Sequence, residues 1–218
     1  MTTPAEDAAD QLRAIRALME RSTIYRAISG PAAAFAGLLS LGVCAWLWSQ
    51  REPEDSPEPV VFLLVWLGVL VVVSAVNVTL LYRSARQRGE VFVSAGMKHA
   101  LRALLPPLVA GFIMSLLEVS AAGHSARECH ANIAGNWILF YGLALLATGS
   151  FSPRSMQALG GGFFVFGILT FLPTVRDVAG RQYIVAVIHM AFSFGVLHLV
   201  YAAAVFIQNR RESIPSGT

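Results

Sequence analysis

Charge is what this sequence has least of. Only 13% of its 218 residues are Asp, Glu, Lys or Arg, about half the share of roughly 25% carried by soluble domains. With 56% hydrophobic residues and a mean hydropathy of +0.61, a globule of this length cannot hide its apolar surface from water. A soluble fold is excluded, and the bilayer is the expected solvent. Cysteine is also scarce. Cys44 and Cys129 are too few for a disulfide framework, and Cys44 lies inside an apolar run. The opening MTTPAEDAADQL is polar and acidic, with no basic region leading into an apolar core. It does not read as a cleavable signal peptide, so insertion is expected to follow the first true span. No P-loop, G-x-S-x-G, H-E-x-x-H or dinucleotide fingerprint occurs. No connection approaches the roughly 40 residues that even a marginal soluble domain needs. Chemistry is therefore confined to a helical bundle or its two surfaces, which removes most enzyme classes.

What is present is apolar length. About 20 apolar residues cross the hydrocarbon core as a helix, and six segments qualify: Pro31–Ser49, Val60–Tyr82, Leu101–Ala122, Ala131–Gly149, Met156–Val175 and Tyr183–Ile207. The expected fold is an all-α integral membrane protein, a six-transmembrane-helix bundle preceded by an N-terminal amphipathic interfacial helix. The divisions are a cytoplasmic helix over 1–29, the six-helix domain over 30–208 and a cytoplasmic tail over 209–218. Lys and Arg give the orientation. With the N-terminus inside, the inner side collects Arg13, Arg16, Arg21, Arg26, Arg83, Arg86, Arg88, Lys98, Arg102, Arg154, Arg210 and Arg211, and the outer side only Arg51, Arg127, Arg176 and Arg181. Both termini are then cytoplasmic, as in a bacterial inner-membrane protein. Cations sorted in this way also account for the formal charge of +3 without a nucleic-acid partner.

The N-terminal stretch TPAEDAADQLRAIRALMERSTIYRAIS is an element of its own. Thr3 suits an N-cap, Pro4 the first helical position and Glu6 a capping box. Leu12, Ile15 and Met19 make an apolar stripe, while Arg13, Arg16 and Glu20 lie on another face. Such a helix lies on an anionic leaflet, and Ser29–Pro31 then turns the chain into the first span. An elbow helix before six spans resembles, in architecture alone, the permease subunits of ABC-2-type exporters. That resemblance implies a transport role with a cytoplasmic partner protein. The longest inner loop, RSARQRGEVFVSAGMKHALR, carries Arg83, Arg86, Arg88, Lys98 and Arg102 against the single acid Glu90. It serves topology, a partner protein or a lipid headgroup. FVSAGM and FSPRSM, 59 residues apart, match strictly only at Phe and Met, too little for an internal repeat.

Small residues mark expected helix contacts: Ala36, Ser40 and Cys44, then Ala33 and Gly37, in the first span, and Ala191 and Gly195 in the sixth. Pro106–Pro107 is expected to kink the third span. The run Gly160–Gly162 loosens the fifth, and these two places are where a transporter would break its helices.

Ionisable groups at membrane depth are functional candidates. Glu118 and His189 lie roughly 6 and 9 Å below the outer ends of spans three and six at about 1.5 Å per residue, so they meet if those spans are neighbours. His198, nine residues past His189, falls about 180° away on a straight helix at 100° per residue. The two histidines then face opposite ways. Asn77, Asn132 and Asn136 add hydrogen-bonding capacity, and Trp137, Tyr141 and Tyr183 suit interfacial anchors. The outer stretch SLLEVSAAGHSARECHANIAGNW brings His124, Glu128, Cys129 and His130 near Glu118. A metal ion is thus one candidate cofactor, although adjacent Cys129 and His130 do not follow the paired spacings of zinc sites. Two classes of function emerge: a small transporter or spanning subunit acting with a cytoplasmic partner or as a homo-oligomer, and an intramembrane metal- or proton-dependent enzyme or sensor using Glu118 and His189. A scaffold whose polar residues only set helix register is a third.

Overall fold

A computed structural model of the chain describes residues 11, 30–50, 57–87, 89, 95–121, 126–149, 152–176 and 181–212. The N-terminal helix expected over 1–29 lies outside these residues save Gln11. Among the described residues every regular element is helical: α1 (Gly30–Ser49), α2 (Pro59–Gln87), α3 (Ala95–Ala121), α4 (Ala126–Ala147), α5 (Arg154–Leu169), the single turn α6 (Pro173–Arg176) and α7 (Gln182–Met190). After α7 come a π-helical stretch, Ala191–Leu197, and α8 (His198–Glu212). The last three form one continuous rod, Gln182–Arg210 of which is apolar enough to cross a membrane.

Among the described residues, five helices have the length and apolarity of membrane spans, against six expected: Gly30–Ser49, Pro59–Gln87, Met97–Ser120, Cys129–Ala147 and Gln182–Arg210. The fifth expected span, Met156–Val175, is the exception. Its helix α5 has 16 residues, about 24 Å at 1.5 Å per residue, and turns at Thr170–Leu172 before α6. The boundaries of the other five agree with the apolar runs to within a few residues, except that α2 runs further at its C-terminal end and α3 at its N-terminal end.

Lipid-immersed helices gain little from hiding apolar side chains from one another, so association depends on close packing. Glycine supplies it along two seams. Between antiparallel α4 and α5, a Cβ on Gly142 would stand 2.5 Å from the Phe164 backbone nitrogen and one on Gly167 2.6 Å from the Leu139 Cα. The seam continues where Gly160 meets Leu145 and Gly135 meets Thr170. Between α1 and the last rod, a Cβ on Gly37 would lie 2.9 Å from the Gly195 carbonyl oxygen, and one on Gly195 2.5 Å from Leu41. Ala33, Ala36, Ser40 and Cys44 are buried on the same side of α1, as their spacing predicts. α3 then lies along α4, with Gly111 against Phe140, while α2 touches the bundle mainly through buried Phe62, Leu63 and Trp66 near its start.

One end of the bundle is tied together by four elements. The Tyr183 hydroxyl donates to the Leu47 carbonyl at 2.8 Å, joining the start of α7 to the end of α1. His130 Nε2, at the start of α4, lies 2.9 Å from the Pro57 carbonyl just before α2. Phe62, His130 and Tyr183 pack edge to face around these bonds. α5 starts beside Leu145 at the opposite end and runs back along α4 to Gly135, and α7 starts at the tied end.

Neither place named for a broken helix interrupts its element. α3 runs through Pro106 and Pro107 without interruption, as membrane helices tolerate when neighbours cover the freed groups. α5 is continuous through Gly160–Gly162, where Gly160 serves contact with Leu145 and Gly161 faces open space. The irregular turn falls in the last rod instead. There the Ser193 hydroxyl donates to the His189 carbonyl at 2.7 Å, competing with the backbone ladder.

The seam makes a direct prediction. Gly142→Ala should lower the stability of the detergent-solubilised protein by about 1–3 kcal/mol through overpacking, despite roughly 1 kcal/mol of gained helix propensity. Gly161→Ala should be neutral or stabilising. Thermal unfolding followed by tryptophan fluorescence checks both.

Candidate functional site

The polar groups held inside this bundle fall into three levels. At the tied end, Glu118 of α3 accepts a 2.8 Å hydrogen bond from Asn132 Nδ2 of α4. The carboxylate is half-buried, and its partner is an amide. The expected meeting of Glu118 and His189 is not found. α3 packs along α4 and lightly on α2, not along the last rod, so matching depth does not bring the two side chains together.

The metal candidates are dispersed as well. Cys129 and His130 are both buried, but His130 spends Nε2 on the Pro57 carbonyl and packs edge to face on Phe62 and Tyr183. His124 and the side chain of Glu128 lie outside the described residues, as do Arg13, Arg16 and Arg88. Among the described residues, no three His, Cys, Asp or Glu side chains converge to hold a metal ion.

The second level belongs to α4 and α7. Asn136 and His189 each lie six residues beyond the His130–Tyr183 contact, so the two stand at one depth, roughly 9 Å in. Both are buried, and neither Asn136 Nδ2 nor His189 Nδ1 has a hydrogen-bond partner. The His189 ring packs edge to face on Phe166 of α5 at 5.5 Å between centroids. Trp137, next to Asn136 in sequence, is buried with Nε1 unpartnered. Trp137 and Tyr141 are core side chains rather than the interfacial anchors expected of them, and Tyr183 is a buried strut. Asn77, in the exposed half of α2, leaves Oδ1 covered and without a donor.

The third level is an aromatic nest around one polar pair. The Tyr141 hydroxyl and His198 Nε2 are 3.0 Å apart, enclosed by Phe163 of α5 and Phe194 of the π stretch. Phe194 lies nearly parallel to the His198 ring, at 15° and 6.0 Å, and meets Trp66 of α2 on another side at 5.9 Å. The carbonyls of Ser193 and Phe194 flank His198, whose Nδ1 makes no hydrogen bond of regular geometry. One proton bridges Tyr141 and His198, on oxygen or nitrogen according to the imidazole tautomer.

The opposed placement expected for His189 and His198 is also corrected. Both rings pack on α5, at Phe166 and at Phe163, one turn apart. The wider i→i+5 turns of the intervening π stretch rotate the chain less per residue than an α-helix does. Nine residues therefore return His198 towards the neighbour that His189 already touches. The Tyr141–His198 pair escaped the sequence reading because the turn that creates it follows no Pro, and Ser193 gives the only local signal.

Five apolar helices of spanning length, with polar side chains gathered inside them, define a polytopic helical membrane protein. No protein-family model, no curated protein and no solved structure matches this chain.

The pair can be tested as a coupled unit. Tyr141→Phe and His198→Phe should each cost roughly 1–3 kcal/mol, because each leaves a buried polar partner unsatisfied. The double replacement should cost less than their sum, whereas His189→Phe should be nearly neutral. Unfolding midpoints of the four variants give the coupling energy.

Proposed function

We propose that the chain threads a bacterial inner membrane six times, with both termini in the cytoplasm. It acts there as a small transporter or as the membrane-spanning subunit of a transport complex with a cytoplasmic partner. The return of the chain along α4 supports the sixth crossing: α5 with its turn and α6 spans the height between Leu145 and Gly135, and α7 starts at the opposite end from α5. The charge asymmetry supports the orientation.

The observation that carries the transport reading is the π stretch in the middle of the last rod, with buried His189 and His198 at its two ends. Irregular turns within spanning helices gather at functional sites, and transporters place them at the midplane among polar side chains. The enzyme-or-sensor reading asked Glu118 to act with His189, and the Glu118–Asn132 bond gives it no support. Arg83 and Arg86 are exposed at the inner end of α2, consistent with a membrane-surface role for the basic loop.

Purification in mild detergent from its own cells should recover a soluble partner in fixed ratio. Deletion should change uptake or efflux of a solute, and His198→Phe should fail to restore it while being inserted normally. A bundle that purifies alone, from cells whose deletion leaves transport of a broad solute panel unchanged, contradicts the proposal.

A further inference from the structure

α2 and α3 follow one another in the chain, yet they barely touch. Each is instead exposed along its inner half. On α2 the exposed residues include Val71, Val72, Val78 and Tyr82, and on α3 Leu101, Leu105 and Val109. At the inner ends of these apolar faces stand exposed cations, Arg83 and Arg86 on α2 and Lys98 and Arg102 on α3. Lys98, Arg102, Leu105 and Val109 follow one stripe at helical spacing, so charge passes into apolar surface along a single face of α3. Val78, Tyr82 and Arg86 do the same on α2.

Nothing nearby in the sequence neutralises these charges. Between Pro59 and Ala121 the only acids are Glu90, outside the described residues, and Glu118, sixteen positions past Arg102. Glu118 is already bonded to Asn132 at the tied end of the bundle. Four exposed cations at the consecutive ends of α2 and α3, next to two apolar faces that the bundle leaves open, match one kind of molecule. It carries an anionic phosphate at one end and hydrocarbon along the rest.

We propose that the inner halves of α2 and α3 hold an anionic phospholipid. Its phosphate lies among Arg83, Arg86, Lys98 and Arg102, and its acyl chains lie along the exposed faces of the two helices. A soluble protein docking on the same cations would leave the apolar faces uncovered, and a zwitterionic lipid would leave the charge unmet. The lipid answers both. This inference needs only the two helices in a membrane, and it holds whether or not the chain transports anything.

The test is native mass spectrometry of the full chain released from micelles doped with equal phosphatidylglycerol and phosphatidylcholine. One phosphatidylglycerol per chain should persist at collision energies that strip phosphatidylcholine. Replacing the pairs R83Q/R86Q and K98Q/R102Q should weaken retention roughly fivefold for each cation removed. R83K/R86K, which keeps charge and topology, should retain it, and R154Q, at the start of α5, should not matter. Unfolding midpoints confirm that each variant is folded. Equal retention of both lipids, or equal loss from R154Q and the paired variants, overturns the proposal. So does a soluble protein lost from R83Q/R86Q while phosphatidylglycerol binding stays unchanged.

Discussion

Backbone-to-backbone contact between α4 and α5 is the constraint on which the rest of this bundle depends. In lipid, two apolar helices have little reason to prefer each other over acyl chains, so only close approach holds them together. Gly142 and Gly167 bring the two backbones within a distance that excludes even one added methyl group. The seam matters most for α5, whose 16 residues are fewer than those of any of the five helices of spanning length. Fixed to α4, it carries Phe163 and Phe166 to the level of the last rod, where they meet both buried histidines. The second seam, Gly37 with Gly195, holds the last rod against α1 at the position of its irregular turn.

Between the two seams the contacts change character. At the tied end, single hydrogen bonds from Tyr183 and beside His130 reach backbone carbonyls at the ends of other helices. Deeper in, rings pack on rings around Tyr141 and His198. Buried polar atoms without partners include Asn136 Nδ2 and Trp137 Nε1 on α4 and His189 Nδ1 on α7, two helices that pack against one another; others lie on α2, at Trp66 and Asn77, and on α8, at His198. Unsatisfied groups are costly in a low-dielectric interior.

Helix existence was legible because a 20-residue apolar run admits almost no other structure in this solvent. Small-residue contacts in α1 were legible for a similar reason: Ala33, Ala36, Gly37, Ser40 and Cys44 sit at helical spacing, and all are buried. The seven-residue spacing of Gly135 with Gly142, and of Gly160 with Gly167, was equally visible but passed unread. Which helices are neighbours was not legible, because six apolar rods can pack in many ways with the same periodicity. That is why equal depth suggested Glu118 beside His189, and why Trp137 and Tyr141 looked like anchors. The π stretch was hidden for another reason. It depends on Ser193 capturing a carbonyl and on Gly195 meeting α1, two conditions that local sequence does not reveal.

Labelling of single cysteines in intact cells tests the central claim, that the short helix α5 recrosses the membrane against α4. In a background with Cys44 and Cys129 replaced by alanine, cysteine is placed at Ser152, before α5, or at Arg181, after it. An impermeant maleimide applied from outside should modify the Arg181→Cys protein and leave Ser152→Cys unmodified until the cells are opened. If both positions react from outside, or neither does, α5 does not cross, and the pairing of α4 with α5 described here is not a pairing of two spans.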